Sequence, residues 1–376
     1  MTSILTAFEN QTLPQSYLEA DQQELCARIT RAKQTLGTDL LMLAHHYQKD
    51  EVVAFADETG DSLQLAQIAA KNKTAKHIVF CGVHFMAETA DMLTDPHQQV
   101  LLPDLSAGCS MADMANRHQL TIAWEVLQKQ WPAEIIPITY VNSSAAVKAF
   151  VGDHGGAIVT SGNADTILRW AFTQKKRVFF LPDQHLGRNT AYHMGIPLAE
   201  MALWDPLTSQ LLTNAGQEPL TNEQAPDTKV ILWNGWCSVH QQFSVKQIET
   251  LRQSIPNLSV IVHPEAPHEV VEAADDYGST NKILQVVQAS PAGTKWAVGT
   301  DHNLVARMAK QLCPTHEIHF INPVACACLT MNRIKLPHLA WCLEELAAGR
   351  SVNRITVDPT TTASALKALD RMLALS

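Results

Sequence analysis

The sequence predicts an α/β fold of parallel sheets covered by helices, and three observations predict it. Short apolar runs recur along the chain, each followed by a turn of small polar residues and then by a helical pattern. The runs are continuously apolar rather than alternating, as strands buried on both faces require. At 376 residues the chain is too long for one core and accommodates two or three domains.

The elements follow in order. "DLLMLAHHY" (39–47) leads into "EVVAFADETGDSLQLAQIAA", and "HIVFCGV" (77–83) into "HFMAETADML". "IPITYVNSS" (136–144) precedes "AAVKAF", and "GAIVTSGN" (156–163) precedes "ADTILRWAF". Later come "RVFFLPD", "KVILWNGW", "SVIVHPEAPHEVVEAAD" and "KWAVGTDHNLVARMAKQL", which continue the βα alternation. Breaks near 116–132 and in the polar stretch 213–229, read as an inter-domain connection, divide the chain. The expected parts are a first α/β domain with an N-terminal extension (1–120), a second (121–215), a third (216–310) and a C-terminal segment (311–376) that packs back on the first.

A net charge of −9 and the lack of any basic run exclude a general polyanion binder, so no nucleic-acid partner is expected. The opening residues lack a secretory pattern, and no apolar run approaches the ~20 residues that span a bilayer. A cytoplasmic protein without a membrane partner is expected. Its eight cysteines then sit in a reducing compartment, where metal and catalytic roles gain weight over disulfides.

Ligands of open parallel sheets bind beyond the carboxyl ends of the strands. The residues predicted there are consistent: "GDSL" (60–63), "YVNSS" (140–144), "TSGN" (160–163), "HPE" (263–265), "GST" (278–280) and "GTDH" (299–302). Any one of them is an ordinary helix cap. Together they make a set of helix N-termini able to hold carboxylate or phosphate groups.

Cys81 reads as part of a strand, Cys26 and Cys342 as helical, and Cys313 as the end of a helix. Cys109 in "SAGCSMADMA", Cys237 in "WNGWCSVH", and Cys326 and Cys328 in "VACACLTMN" lie in loops. No C-x-x-C supports structural zinc, and "HEVVE" (268–272) lacks the final histidine of a zinc-protease helix. Three widely separated cysteines suit an iron–sulfur cubane with one iron open to substrate. On residues alone, a zinc-dependent hydrolase and an iron–sulfur redox sensor stand as alternatives.

In order along the chain stand "AHHYQKDEVVAFADETGDSLQLA", "FCGVHFMAETADML", "LLPDLSAGCSMADM", "TYVNSSAAVKA", "TSGNA", "LPDQHLGRNTA", "WNGWCSVHQQF", "VHPEAPHEVVEAADDYGST" and "CLTMNRI". By these motifs the chain, from about residue 40 to 332, resembles the quinolinate synthase family of NAD (pyridine nucleotide) biosynthesis. This resemblance implies three similar three-layer α/β/α domains around a pseudo-threefold axis, with one 4Fe–4S cluster at their junction. The implied ligands are Cys109, Cys237 and a third cysteine. The family's Cys-Pro-aromatic-Met-x-Met-Asn pattern, counted back from Met331-Asn332, places the third at Cys326 and leaves Cys328 as a rival. Asp301 departs from the glutamate expected after Thr300.

The resemblance further implies condensation of iminoaspartate with dihydroxyacetone phosphate to quinolinate, with release of phosphate and water. L-aspartate oxidase would supply iminoaspartate, and iron–sulfur assembly machinery the cluster. His45, Tyr47, His263 and Glu265 are the implied acid–base set. His45, His263 and Glu265, with Ser62, Tyr140, Asn142, Ser161, Ser279 and Thr280, are the implied substrate contacts.

Overall fold

A computed structural model describes residues 13–216, 218–221, 223–324 and 327–375, so Cys326 lies outside the described residues. The chain forms two compact units. One runs to Cys109 and resumes over Ala327–Val357; the other begins at Ser110 and also takes in the chain from Asp358. The α/β expectation holds: three mostly parallel sheets are flanked by helices. Among the described residues no helix is long and apolar enough to cross a membrane.

The first unit carries β1 (Leu40–His45), β2 (Glu58–Gly60), β3 (His77–Cys81) and β4 (Gln99–Leu101). Its sheet runs β4-β3-β1-β2, all parallel, and the short strand Arg354–Ile355 joins β4 antiparallel. Every residue of β1 is buried, which explains its unbroken apolar run. Helix Gln22–Leu36 starts where the Asp21 side chain accepts the Glu24 N–H at 2.8 Å, and it packs on helix Leu336–Ala347. Arg28 joins the two helices through a paired contact with Glu344 at 3.0 and 2.6 Å, to which Tyr17 donates at 2.7 Å.

The second unit holds two sheets. The larger contains β5 (Ile135–Tyr140), β6 (Ala157–Val159), β7 (Arg177–Leu181), β8 (Met201–Asp205), β9 (Gln210–Thr213) and β10 (Val230–Trp233). They run β6-β5-β7-β10-β8-β9, and only the edge strand β9 is antiparallel. The polar stretch 213–229 therefore joins two strands of one sheet instead of two domains, because β10 inserts between β7 and β8. Its composition marks a surface loop, a property shared by linkers and long intra-sheet connections. The smaller sheet, β11 (Leu258–Val262), β12 (Asp276–Tyr277), β13 (Lys295–Gly299) and β14 (Glu317–Phe320), runs β12-β11-β13-β14, all parallel.

The C-terminal chain is divided. Residues 327–357 belong to the first unit, whereas helix Pro359–Leu375 lies in the second along helix Ala145–Asp153. Gly152 permits that close approach, since a Cβ there would run into the Ser364 carbonyl oxygen.

One arrangement recurs in all three sheets. The first strand lies between the second and the third, so β1, β5 and β11 end at switch points, where parallel sheets bind ligands. Their carboxyl ends bear His45, Tyr140 and the His263 turn. All six predicted junctions lie where a strand gives way to a helix.

Candidate active site and metal-ligand group

In the second unit, residues following β5, β10, β11 and β13 meet around Glu265. Its carboxylate is 2% exposed, and its Oε2 stands 2.9 Å from His240 Nδ1. His240 Nε2 lies 3.3 Å from Thr300 Oγ1, and its ring stacks on that of His263 with centroids 4.5 Å apart. The Glu265 backbone N–H donates to His263 Nδ1 at 3.3 Å, so neutral His263 keeps its proton on Nε2.

Burial and the nearby His240 hold His263 down at about 3 despite the opposing charge of Glu265, so it is neutral near pH 7. Burial opposes ionisation of Glu265, but the flanking imidazoles and the hydrogen bonds from His240 and Tyr140 outweigh it and hold the carboxyl down at about 2. Asp183, fully buried at the end of β7, behaves oppositely. Burial, aided by the Glu265 charge, raises its carboxyl well above the ordinary range although Leu186 N–H donates to Oδ1 at 2.6 Å. Its Oδ2 is buried and meets no hydrogen-bond donor. The two carboxyls are thus pushed in opposite directions, Glu265 towards the ionised form and Asp183 towards the neutral one.

The same unit carries further predicted polar positions, of which Tyr140 hydrogen-bonds Glu265. Tyr140 is buried, and Asn142 Oδ1 is a buried acceptor with no donor in reach. The Ser161 and Ser279 loops meet, because a Cβ on Gly162 would stand 3.7 Å from Ser279 Oγ. Ser279 also caps its own helix, accepting Lys282 N–H at 3.3 Å, and Thr280 is buried beside it in sequence. Asp301, fully buried, caps the helix after β13 by accepting Asn303 N–H at 2.8 Å. The short side chain that departs from the family pattern thus has a local task. Cys237 Sγ, a His240 ring nitrogen and a Glu265 carboxylate oxygen all lie within 4.8 Å of one another, close enough to share a metal ion.

In the first unit, Tyr47 N–H donates to Nδ1 of buried His45 at 3.1 Å. The Tyr47 ring stands edge-on to the imidazole at 4.7 Å. Gln48 Nε2 donates to the Met331 carbonyl at 3.1 Å, joining the turn after β1 to the segment after Cys328. Asp61 caps helix Ser62–Lys71 by accepting Gln64 N–H at 2.9 Å, so the Ser62 hydroxyl is not needed as the cap. Cys109 and Cys328 are half-buried, with Cys328 Sγ 3.4 Å from Thr330 Oγ1. Arg333 steadies the loop before Cys109 by donating to Ser106 Oγ at 2.8 Å.

Sequence reasoning passed over His240 and Asp183, and took Thr300 only as part of the "GTDH" junction. Asp183 and Thr300 each follow the third strand of their sheet, so strand-end position was the available signal. His240 sits three residues beyond Cys237 in a short 3-10 turn and offered no sequence signal beyond its imidazole.

Buried acid–base groups at the switch points of parallel sheets, with a thiol in ligand reach of an imidazole and a carboxylate, define an α/β enzyme with a metal-binding capacity. Comparison with known proteins gives the particular family. A family model described as quinolinate synthetase A protein matches residues 27–374. The chain is 57% identical over 374 residues to quinolinate synthase of Listeria innocua serovar 6a, covering 100% of each chain. It is 57% identical over 368 residues to that of Halalkalibacterium halodurans, covering 98% of each. Against quinolinate synthase of Bacillus subtilis strain 168 the identity is 54% over 367 residues, covering 98% of this chain and 97% of the relative. The chain belongs to the quinolinate synthase family.

Proposed function

We propose that this chain condenses iminoaspartate with dihydroxyacetone phosphate to form quinolinate, releasing phosphate and water, in the cytoplasmic route to NAD. The observation that carries the chemistry is the buried Glu265 group: a carboxylate hydrogen-bonded by His240 and held low, a neutral His263 with its proton on Nε2, and Asp183, whose carboxyl burial and the Glu265 charge push up towards the acid form. Isomerisation and imine formation need a base and an acid that coexist at neutral pH, and this set provides both. In the proposal His45 and Tyr47 hold and move protons from the first unit, and His45 and His263 also contact substrate. Ser62, Tyr140, Asn142, Ser161, Ser279 and Thr280 hold carboxylate or phosphate oxygens, Asn142 through its Nδ2 donor, while its unmatched Oδ1 is open to a donor group of the ligand.

A 4Fe–4S cluster would be held by Cys109, Cys237 and Cys326, and when bound it supplies an open iron as a Lewis acid for the departure of hydroxide. The donor chemistry fits this choice. Burial pushes the Cys342 thiol up to about 12 and the Cys81 thiol higher still, so neither serves as a thiolate ligand. Cys109 and Cys237 are half-buried in loops. The zinc-protease resemblance of "HEVVE" finds no support: His268 Nδ1 bonds Asn189 Oδ1 at 2.9 Å, and Glu272 pairs with His193 at 3.3 Å. L-aspartate oxidase as the source of iminoaspartate, and iron–sulfur assembly proteins, are the partners this reading needs.

The test is Glu265→Gln in anaerobic, cluster-replete protein. Turnover should fall by about 100-fold or more, the usual scale for a lost general base, with visible absorbance unchanged. Wild-type turnover would remove Glu265 from the mechanism.

A further inference from the structure

Helix Gln184–His193 follows β7 and carries fully buried Asn189. Gly187 lets this helix lie tightly on the sheet, because a Cβ there would stand 2.6 Å from Phe180 and 2.7 Å from Leu232. The depth of Asn189 is thereby set by backbone packing.

A buried amide is costly unless both its ends are matched. Asn189 matches both on one turn of chain. Its Nδ2 donates to the Pro264 carbonyl at 2.9 Å and to the Ala266 carbonyl at 3.0 Å, the residues on either side of Glu265. Two carbonyls in contact with one end assign that end as the NH2 group. The other end, Oδ1, then accepts from His268 Nδ1 at 2.9 Å, which fixes the proton of neutral His268 on that nitrogen. Within the gripped turn, Ala266 N–H donates to the His263 carbonyl at 3.0 Å, and Glu265 N–H to the His263 ring. Holding carbonyls 264 and 266 in place sets the backbone at Glu265, and through its amide the plane of the His263 ring.

We propose that Asn189 is the positioning residue for Glu265 and His263, acting through the Pro264 and Ala266 carbonyls, with His268 locking its amide. The proposal rests on the reading of Glu265 as a working acid–base group. Asn189 itself touches neither the carboxylate nor the imidazole.

The experiment is a double-mutant cycle on the cluster-replete enzyme, with kcat, KM, iron content and melting temperature measured for Asn189→Ala, Glu265→Gln and the pair. A displaced reacting group costs rate more than binding, so Asn189→Ala should lower kcat about 10- to 100-fold with KM for both substrates and iron content nearly unchanged. In the Glu265→Gln background the same change should cost less than about 3-fold, because groups acting as a unit are not additive. Losses that multiply, or an Asn189→Ala kcat at the wild-type level, would overturn the proposal while leaving the role of Glu265 intact. Wild-type turnover in Glu265→Gln alone would overturn the underlying reading and the proposal with it. Should Asn189→Ala not fold, half-buried His268→Ala removes the lock from the other side. It should lower kcat about 3- to 10-fold with the same non-additivity towards Glu265→Gln, and multiplying losses there count equally against the proposal.

Discussion

Replacing His185 by Gln should change how the stability of the second unit responds to acid. His185 is 7% exposed; its Nδ1 stands 3.2 Å from Arg188 NH1 and its Nε2 2.5 Å from Gln241 Oε1. The guanidinium can only donate, so the ring accepts at Nδ1 and donates at Nε2, as a neutral imidazole. Burial and then the Arg188 charge hold its pKa at about 4 against an ordinary 6.5. The unfolded chain therefore binds a proton below pH 6.5 that the folded chain refuses until about pH 4. Stability is complete above the unfolded pKa and is lost as pH falls through this window. From pH 7.5 to pH 5.0 the loss works out to about 2 kcal/mol for this one residue. Gln offers an acceptor to Arg188 and a donor to Gln241 but takes up no proton. Urea unfolding followed by tryptophan fluorescence, for which Trp204 and Trp233 are buried probes in the same unit, gives the stability difference at each pH. His263 adds a loss of the same sign to both proteins and cancels in the comparison. The gap between variant and wild type should shift by about 2 kcal/mol in favour of the variant on acidification. Parallel pH profiles would refute the assignment of a neutral, proton-refusing His185.

The remaining predictions concern the cysteines, Tyr47 and Gly187. Cys109→Ala and Cys237→Ala should each abolish the absorption near roughly 400 nm and lower bound iron, while full retention in either would remove that cysteine from the ligand set. Cys326→Ser should lose cluster and activity and Cys328→Ser keep both; a two-residue offset along any extended chain displaces a side chain by about 6–7 Å, and the opposite pattern moves the third ligand to Cys328. Tyr47→Phe should leave melting and absorbance near wild type and cut turnover about 100-fold, and normal turnover would make it a packing residue. Gly187→Ala forces a methyl against Phe180 and Leu232 and should destabilise by about 1–3 kcal/mol in chemical denaturation; an unchanged midpoint would show that the helix can lift off the sheet.

The strands and their polar ends were legible because continuous apolar runs have few alternatives to a doubly covered parallel sheet. "HIVFCGV" and "SVIVHPE" thus announced both β3 and β11 and the residues that follow them. The stretch 213–229 misled because surface composition does not report which sheet the next strand enters, and β10 returns to its own. The pairing of His240 with Glu265, and the opposed carboxyls of Glu265 and Asp183, were not legible at all. They depend on burial and on contacts between residues far apart in sequence, which no local pattern encodes. Asn189 illustrates the same limit, since its partners Pro264 and Ala266 lie 75 and 77 residues away.

The most direct test of the central claim is an anaerobic assay of the purified, cluster-replete chain supplied with iminoaspartate and dihydroxyacetone phosphate. Quinolinate and inorganic phosphate should appear together in equal amounts and depend on both substrates, with about four irons per chain. Iron-replete protein that releases phosphate without quinolinate, or forms neither product, would contradict the account.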